Sequence, residues 1–198
     1  MLKGTSLVGS SVTRERVEND YYATPYESTK ALLSVESFNK NIWECAVGGG
    51  HIAKVLEEYG YDVYGTDIVY RDYEKTNYYD FIKQEDSNGI RFSKWHGDII
   101  TNPPYSLAQE FLENSMGVID DGCKVAMFLK IQFLEGVKRK EMFIKYPPKI
   151  IYVFSNRQNP LRNGEEFDEK GKKWSSTMCF AWFVWEKGYE GYPQVRWI

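Results

Sequence analysis

The sequence predicts an α/β fold, a mostly parallel sheet with helices on both faces. Three observations carry this. Short apolar runs of strand length alternate with stretches whose apolar residues recur at helical spacing. Several runs are apolar without a polar face, as strands covered on both sides are. A glycine run and an Asn-Pro-Pro-Tyr tetrad end two of them abruptly, as turns at strand ends do.

Residues 1–20 are polar and rich in Ser, Thr and Glu, with little periodicity. They read as an arm before one domain over 21–198. Tyr21-Tyr22-Ala23-Thr24-Pro25 leads into a helix from Tyr26 to Phe38. Ala31, Leu32, Val35 and Phe38 share a face there, and Thr24 and Pro25 supply the cap and first turn. Asn41–Cys45 is a short buried strand. After Gly48-Gly49-Gly50, a helix runs from His51 to Tyr59 with Ile52, Val55 and Leu56 on one face, and Gly60 ends it. Asp62–Thr66 is the next strand, closed by Asp67. Ile99-Ile100-Thr101 ends another at Asn102-Pro103-Pro104-Tyr105. Leu107–Met116 is helical, and Lys124–Leu129, Lys149–Phe154 and Cys179–Trp185 are strands. The final strands lie close together in sequence, which suits antiparallel pairing at one edge. The aromatic run Ala181–Trp185 reads as sheet core. Asn156–Ser176 is the longest irregular stretch, and a loop of that length is functional or mobile.

The 198 residues suffice for a core without disulfides or structural metal. Three scattered cysteines with no CxxC pair, and only two histidines, point to neither a disulfide framework nor a metal site. With no long apolar run and no signal peptide, a soluble cytoplasmic protein without membrane association is expected. The net charge of −3 argues against a surface coated for nucleic acid. It is unevenly spread, however. Residues 124–149 carry seven basic and two acidic side chains, a net of +5, which leaves −8 elsewhere. Lys138-Arg139-Lys140 within that segment, and Arg157 and Arg162 beyond it, are either phosphate contacts or a solvated surface.

Two constellations carry chemistry. The first is Glu44 to Gly50 between a strand and a helix, with Asp67 closing the next strand 17 residues later. Glycines there let a ligand approach the backbone, and an acid at that strand end can take ribose hydroxyls. Alone, the glycines are a tight turn and the aspartate a solvated one; together they favour a nucleoside-containing cofactor. His51 reads as a helix-start residue rather than a catalyst. The second is Asn102-Pro103-Pro104-Tyr105. Two prolines fix the chain and leave bare carbonyls. The asparagine adds an acceptor oxygen and the tyrosine a ring. A planar amine fits this set, its two N–H groups on the Asn102 oxygen and a proline carbonyl. The alternative is a rigid turn capping a strand.

With these motifs the chain resembles class I S-adenosylmethionine-dependent methyltransferases that act on amines, similar to the small DNA N6-adenine methyltransferases of phages and mobile elements. The motifs span residues 21 to 105 in the order upstream motif, glycine loop, NPPY, and the remainder, with Phe133-Leu134-Glu135-Gly136 and Ala181–Trp185, resembles the small proteins of phages and mobile elements. The resemblance implies a Rossmann-like domain with a seven-stranded sheet. It implies S-adenosyl-L-methionine as cofactor, with Tyr22, Thr24 and Pro25 closing over its amino-acid end. Glu44, Ala46, Gly48 and Gly50 would form its methionine-side loop. Asp67, with Ile68 beside it, would hold the ribose, and Asp80 and Phe81 the adenine. Asn102, Pro103, Pro104 and Tyr105 would be catalytic, with Asn102 also touching the cofactor. DNA is the expected partner, with a flipped adenine on Tyr105 and a second ring from Phe167 or Trp174 facing it. Direct transfer needs neither metal nor cysteine nucleophile. The same signature also serves RNA bases and the glutamine side-chain amide, and a non-catalytic partner subunit is a further alternative. No separate target-recognition segment is visible.

Overall fold

The computed structural model describes residues 21–162, 164–167, 170–172 and 177–198. The predicted arm over 1–20 and Trp174 lie outside the described residues.

The elements run β1 (Tyr22–Ala23), α1 (Tyr26–Val35), β2 (Asn41–Glu44), α2 (His51–Glu58), β3 (Asp62–Asp67), β4 (Thr76–Tyr78), β5 (Asp98–Thr101), α3 (Ala108–Val118), β6 (Lys124–Lys130), α4 (Val137–Lys145), β7 (Ile150–Val153), β8 (Leu161–Arg162), β9 (Phe180–Glu186) and β10 (Gln194–Trp197). Eight strands form one sheet in the order β10-β7-β9-β6-β5-β2-β3-β4, and β1 pairs with β8 in a separate ribbon. Within the eight-stranded sheet all neighbours are parallel except β9, which runs antiparallel to both β6 and β7; the β1–β8 pair is antiparallel.

The α/β class is as the sequence predicts, with three corrections. The main sheet has eight strands rather than seven. The antiparallel strand is not at an edge: β9 inserts between β6 and β7, where both its faces are covered. Six of its seven residues are buried. The edge is instead β10, parallel to β7, whose four residues are all exposed. Backbone pairing, not an apolar face, makes β10 a strand, so hydropathy carries no sign of it. Finally, α1 stops at Val35 rather than Phe38, because Glu36 turns extended at φ −133°, ψ 143°. The Glu36 side chain there accepts from Tyr152 Oη at 2.9 Å and Lys124 Nζ at 2.7 Å.

Alternation along the strands sorts the core onto two faces. Leu32, Ile52 and Leu56 of α1 and α2 pack with Ile42, Ile100, Phe128 and Trp182. Phe111, Leu112 and Met116 of α3 and Met142 of α4 pack with Trp43, Ile99, Met127, Phe183 and Trp185 on the other face. The buried indoles keep partners for their N–H: Trp43 donates to Thr66 Oγ1 at 2.8 Å and Trp182 to the Ser28 carbonyl at 2.8 Å. Buried Asp98, at the start of β5, is satisfied too. It accepts from the Asn39 amide N–H, the Asn39 side chain and the Lys124 amide at 2.6, 2.8 and 2.6 Å, pinning the β2, β5 and β6 starts together. Among the described residues no helix is long and apolar enough to cross a membrane.

Candidate active site

In an open α/β sheet, ligands bind beyond the carboxyl ends of the strands, where successive connections leave in opposite directions. Here that point lies at β2, with β3 on one side and β5 on the other. A cleft open to solvent sits there. Its walls include Tyr22, Thr24, Glu44, Ala46, Asp67, Ile68, Asp80, Phe81, Asn102 and Pro104. The structure thus gathers the three motifs that the sequence separates by up to eighty residues.

The glycine loop is shaped for a close approach. Gly48 and Gly50 have φ of +51° and +76°, a region that residues with a Cβ enter at a cost. They are not on the cleft wall; they bend the chain so that Ala46 and Val47 are. Behind Gly50, the Tyr73 ring occupies the space a Cβ would need.

Asp67 ends β3 with both oxygens engaged. Oδ2 accepts from the Gly48 amide and Oδ1 from the Val69 amide, each at 2.9 Å, and Arg71 stands 3.6 Å from Oδ1. Asp80 likewise closes its own turn, accepting from the Ile82 and Lys83 amides at 3.1 and 3.0 Å. Phe81 is buried, edge-on to Trp43 at 5.1 Å and against Phe111 at 5.0 Å, so its ring is a fixed part of the wall.

Glu44 is the contrast to Asp98. It is 1% exposed at the end of β2, and Oε2 has no hydrogen-bond partner. Oε1 accepts weakly from the Ala46 amide at 3.4 Å. Burial pushes its carboxyl up to about 8, with the Asp67 charge adding to the shift. A buried acid left half-satisfied against a cleft costs stability unless a ligand completes it. Thr24 adds a second orphan. It is buried with no partner for its hydroxyl, and it does not cap α1, whose N-cap is Pro25. Pro25 itself is not on the wall.

Asn102 follows β5, and its Nδ2 donates to the Tyr22 carbonyl at 2.6 Å. With Nδ2 so used, Oδ1 is the acceptor end of the amide. Pro103 and Tyr105 stand outside the cleft wall. The Tyr105 ring lies 6.4 Å from Tyr22 in near-parallel orientation, with Lys130 Nζ 4.4 Å over it and Phe180 at 6.0 Å.

Several wall residues escaped the sequence reading, among them Tyr21, Arg71 and His51. Tyr21 accepts from the Gly49 amide at 3.1 Å, and Arg71 lies over its ring at 4.4 Å. His51, read as a mere helix start, also lines the cleft. Its ring stacks on Tyr26 at 5.3 Å, and its buried Nδ1 has no partner. Burial, then the Lys54 charge, lowers its pKa. Its position directly after a glycine loop was a usable signal, since the first turn of such a helix faces the strand ends. Nothing local marks Arg71.

The candidate nucleic-acid residues divide. Lys138 and Lys140 are exposed on α4. Arg139 is turned inward: its guanidinium donates to the Phe133 carbonyl at 3.1 Å and lies over the Phe133 ring at 5.0 Å. Arg162 belongs to β8, opposite Tyr22 in register. Arg157 is exposed on the preceding loop, and Phe167 is 51% exposed. That loop is not loose where β8 meets β1, and Gln158 Oε1 accepts from Ser28 Oγ at 2.7 Å to anchor it to α1.

No protein-family model and no curated protein sequence matches the chain. Solved structures do. A predicted O-methyltransferase from Agrobacterium tumefaciens superposes with a TM-score of 0.60 at 12% identity, over 87% of this chain and 85% of that one. The chain has the Rossmann-like methyltransferase fold. A protein from Pyrococcus horikoshii described as a candidate RNA methyltransferase gives 0.58 at 12%, over 88% and 91%. The modification subunit of a candidate type I restriction enzyme from Vibrio vulnificus gives 0.57 at 12%, over 87% of this chain but 45% of that one. At these identities the likeness is one of fold.

Proposed function

We propose that the protein is an S-adenosyl-L-methionine-dependent N-methyltransferase acting on the exocyclic amine of a nucleobase, with adenine N6 in DNA as the leading substrate. The observation that carries this reading is the Asn102 amide. Its Nδ2 is held by the Tyr22 carbonyl, which leaves Oδ1 as a fixed acceptor beside the cleft.

The cleft fits the cofactor on its own features. The unpartnered Glu44 Oε2 and Thr24 hydroxyl are suited to the charged amino-acid end. Asp67 would take the ribose, its contacts to Gly48 and Val69 giving way or being shared. Phe81 and Asp80 would hold the adenine. When bound, the cofactor supplies an activated methyl group, so the protein need only position the acceptor and stabilise charge. An exocyclic amine conjugated to a ring is a poor nucleophile. Hydrogen bonds from its two N–H groups to Asn102 Oδ1 and the Pro103 carbonyl favour a more tetrahedral nitrogen with its lone pair free. The prolines hold that carbonyl rigidly.

For a nucleic-acid substrate, Lys138, Lys140, Arg157 and Arg162 are the proposed phosphate contacts, at the end of the sheet where Tyr105 stands. Structures of like fold include a candidate RNA methyltransferase and a restriction modification subunit alongside a predicted O-methyltransferase, so the fold is compatible with a nucleic-acid substrate without choosing one. The test is incubation with methyl-labelled cofactor and separate pools of DNA, RNA and cell protein, followed by digestion. Label in N6-methyladenine from DNA is expected. Label confined to RNA or to glutamine would redirect the substrate, and absence of both transfer and calorimetric cofactor binding would overturn the reading.

A further inference from the structure

The two edges of the main sheet are unlike. β4 is three residues long, and Asn77 at its centre turns its side-chain amide back onto the Gly65 and Lys75 carbonyls. β10 is four residues long, every one of them exposed, and among the described residues it pairs only with β7. The amides of Gln194 and Ile198 donate inward, to the Lys149 and Val153 carbonyls at 3.1 and 3.0 Å. Backbone groups alternate sides along a strand, so the N–H and C=O of Val195 and Trp197 point outward. The next residue back on that outward side is Pro193, which offers a carbonyl and no N–H. The side chains add apolar surface. Val195 and Trp197 are 48% and 72% exposed on the face they share with Ile151 and Val153, and Tyr192 just before the strand is 93% exposed. Arg196, on the opposite face, donates to Gln194 Oε1 at 3.0 Å, so its charge lies along the strand instead of guarding the edge.

We propose that β10 is a homodimer interface, pairing antiparallel with β10 of a second copy about a two-fold axis at Val195. Complementarity in that one register sets the occupant. Val195 and its counterpart exchange both N–H···O bonds, and Trp197 of each copy donates to the Pro193 carbonyl of the other. The outward N–H groups of both copies then all find acceptors. Proline stands where the pairing calls on a carbonyl, and its missing N–H leaves only the Trp197 carbonyl to solvent. Directly opposite residues share a face of the sheet. Val195 therefore meets Val195, Trp197 lies on Pro193, and Gln194 faces Arg196, an acceptor oxygen against a guanidinium. A slip of one residue would set Val195 against Arg196, and an axis at Arg196 would oppose two like charges. Isologous pairing closes at two copies and covers the open edge in both. The proposal goes beyond the methyl-transfer reading and does not depend on it. The two sheets join as one with their parallel strands running in opposite directions, so the two clefts open at opposite rims. Each cleft is walled by residues of its own chain.

The test is sedimentation equilibrium of wild type, Val195→Lys, Val195→Pro and Val195→Thr, with amide hydrogen exchange on wild type. Wild type should sediment at twice the chain mass at micromolar concentration and dissociate on dilution. Val195→Pro removes both central bonds and should weaken the dimer roughly 5- to 150-fold. Val195→Lys keeps the backbone, sets like charges opposite each other and should shift the equilibrium to monomer. Val195→Thr keeps the N–H and the β-branch and should stay dimeric. Circular dichroism checks the fold of each variant; Val195→Lys, placed on an exposed edge of the single chain, carries the test if Val195→Pro does not fold. In wild type the Val195 and Trp197 amides should exchange faster on dilution, while the Gln194 amide, bonded to Lys149, should not change. Wild type that is monomeric throughout the micromolar range would overturn the proposal. So would a dimer indifferent to Val195→Lys, an open series of larger species, or exchange at Val195 that does not depend on concentration.

Discussion

Glu44→Gln should make the protein more stable and a poorer binder of its cofactor at the same pH. In the unfolded chain the Glu44 carboxyl ionises near 4.5; in the folded protein burial moves this to about 8. Between those values the unfolded chain binds fewer protons than the folded one, so stability falls as pH rises. The contribution is complete below 4.5 and is lost through 8. Each pH unit is worth 1.36 kcal/mol. At pH 7 the penalty is thus about 3 kcal/mol, and at pH 5 it is below about 1 kcal/mol. Glutamine keeps the shape and cannot ionise. The variant should therefore exceed wild type by about 3 kcal/mol at pH 7, which for a domain of this size is roughly 6–12 °C in Tm. The assay is thermal unfolding at pH 5, 6, 7 and 8. The two melting curves should converge at pH 5 and separate steadily above it. Parallel pH profiles would refute the argument, because Glu44 would then titrate as an ordinary surface acid. The same variant loses a charge-assisted contact to the cofactor's ammonium, a loss of about 1.5–3 kcal/mol or roughly 10- to 150-fold in Kd. Such a trade of stability against function is expected of a group kept buried for its ligand.

Asn102→Ala should lower turnover about 100- to 1000-fold, as loss of one preorganised polar group does elsewhere, with calorimetric cofactor affinity nearly intact. Collapse of cofactor binding instead would mean that the Tyr22 carbonyl needs Asn102 to keep the cleft shaped. Gly50→Ala places a Cβ at φ +76° against the Tyr73 ring, and should cost about 2–4 kcal/mol in a denaturant titration. Arg139→Ala should cost about 1 kcal/mol of stability through its lost contacts to Phe133. Lys138→Ala should leave stability unchanged and reduce the salt dependence of nucleic-acid binding by about one unit of slope. Equal stability effects at the two positions would show that the inward placement of Arg139 does not matter.

Most of the sheet was legible because its strands are buried runs with sharp ends. Lys124–Lys130 and Phe180–Glu186 are too short for helices and too apolar for loops. The position of β9 within the sheet was not legible, because strand order depends on which neighbours cover each face rather than on any local pattern. β4 and β10 were missed for a related reason: both are edge strands made by backbone pairing, with little burial to mark them. At the site, Asn102, Glu44 and Asp67 were readable as polar residues stranded at the ends of apolar runs. Tyr21 and Arg71 were not, since their place on the cleft comes from a cation–π contact between segments fifty residues apart.

By itself the sequence determined the α/β class, the three motifs and the chemistry that an asparagine beside two prolines can offer. These are local properties: periodicity, backbone restriction and side-chain functional groups travel with the residues that carry them. Only the tertiary structure decided which of those groups are satisfied and which are left waiting. Asp98 at the start of β5 and Glu44 at the end of β2 are both buried acids, and nothing in the sequence says which of them finds partners. Folding surrounds one with three N–H donors and leaves the other with an unpartnered oxygen against an open cleft. The same holds for Tyr22, whose ring meets Tyr105 only because β8 pairs with β1 and Asn102 grips the strand's carbonyl. Hydrogen-bond satisfaction and ring-to-ring geometry are relations between distant segments, and they exist only once the chain has closed on itself.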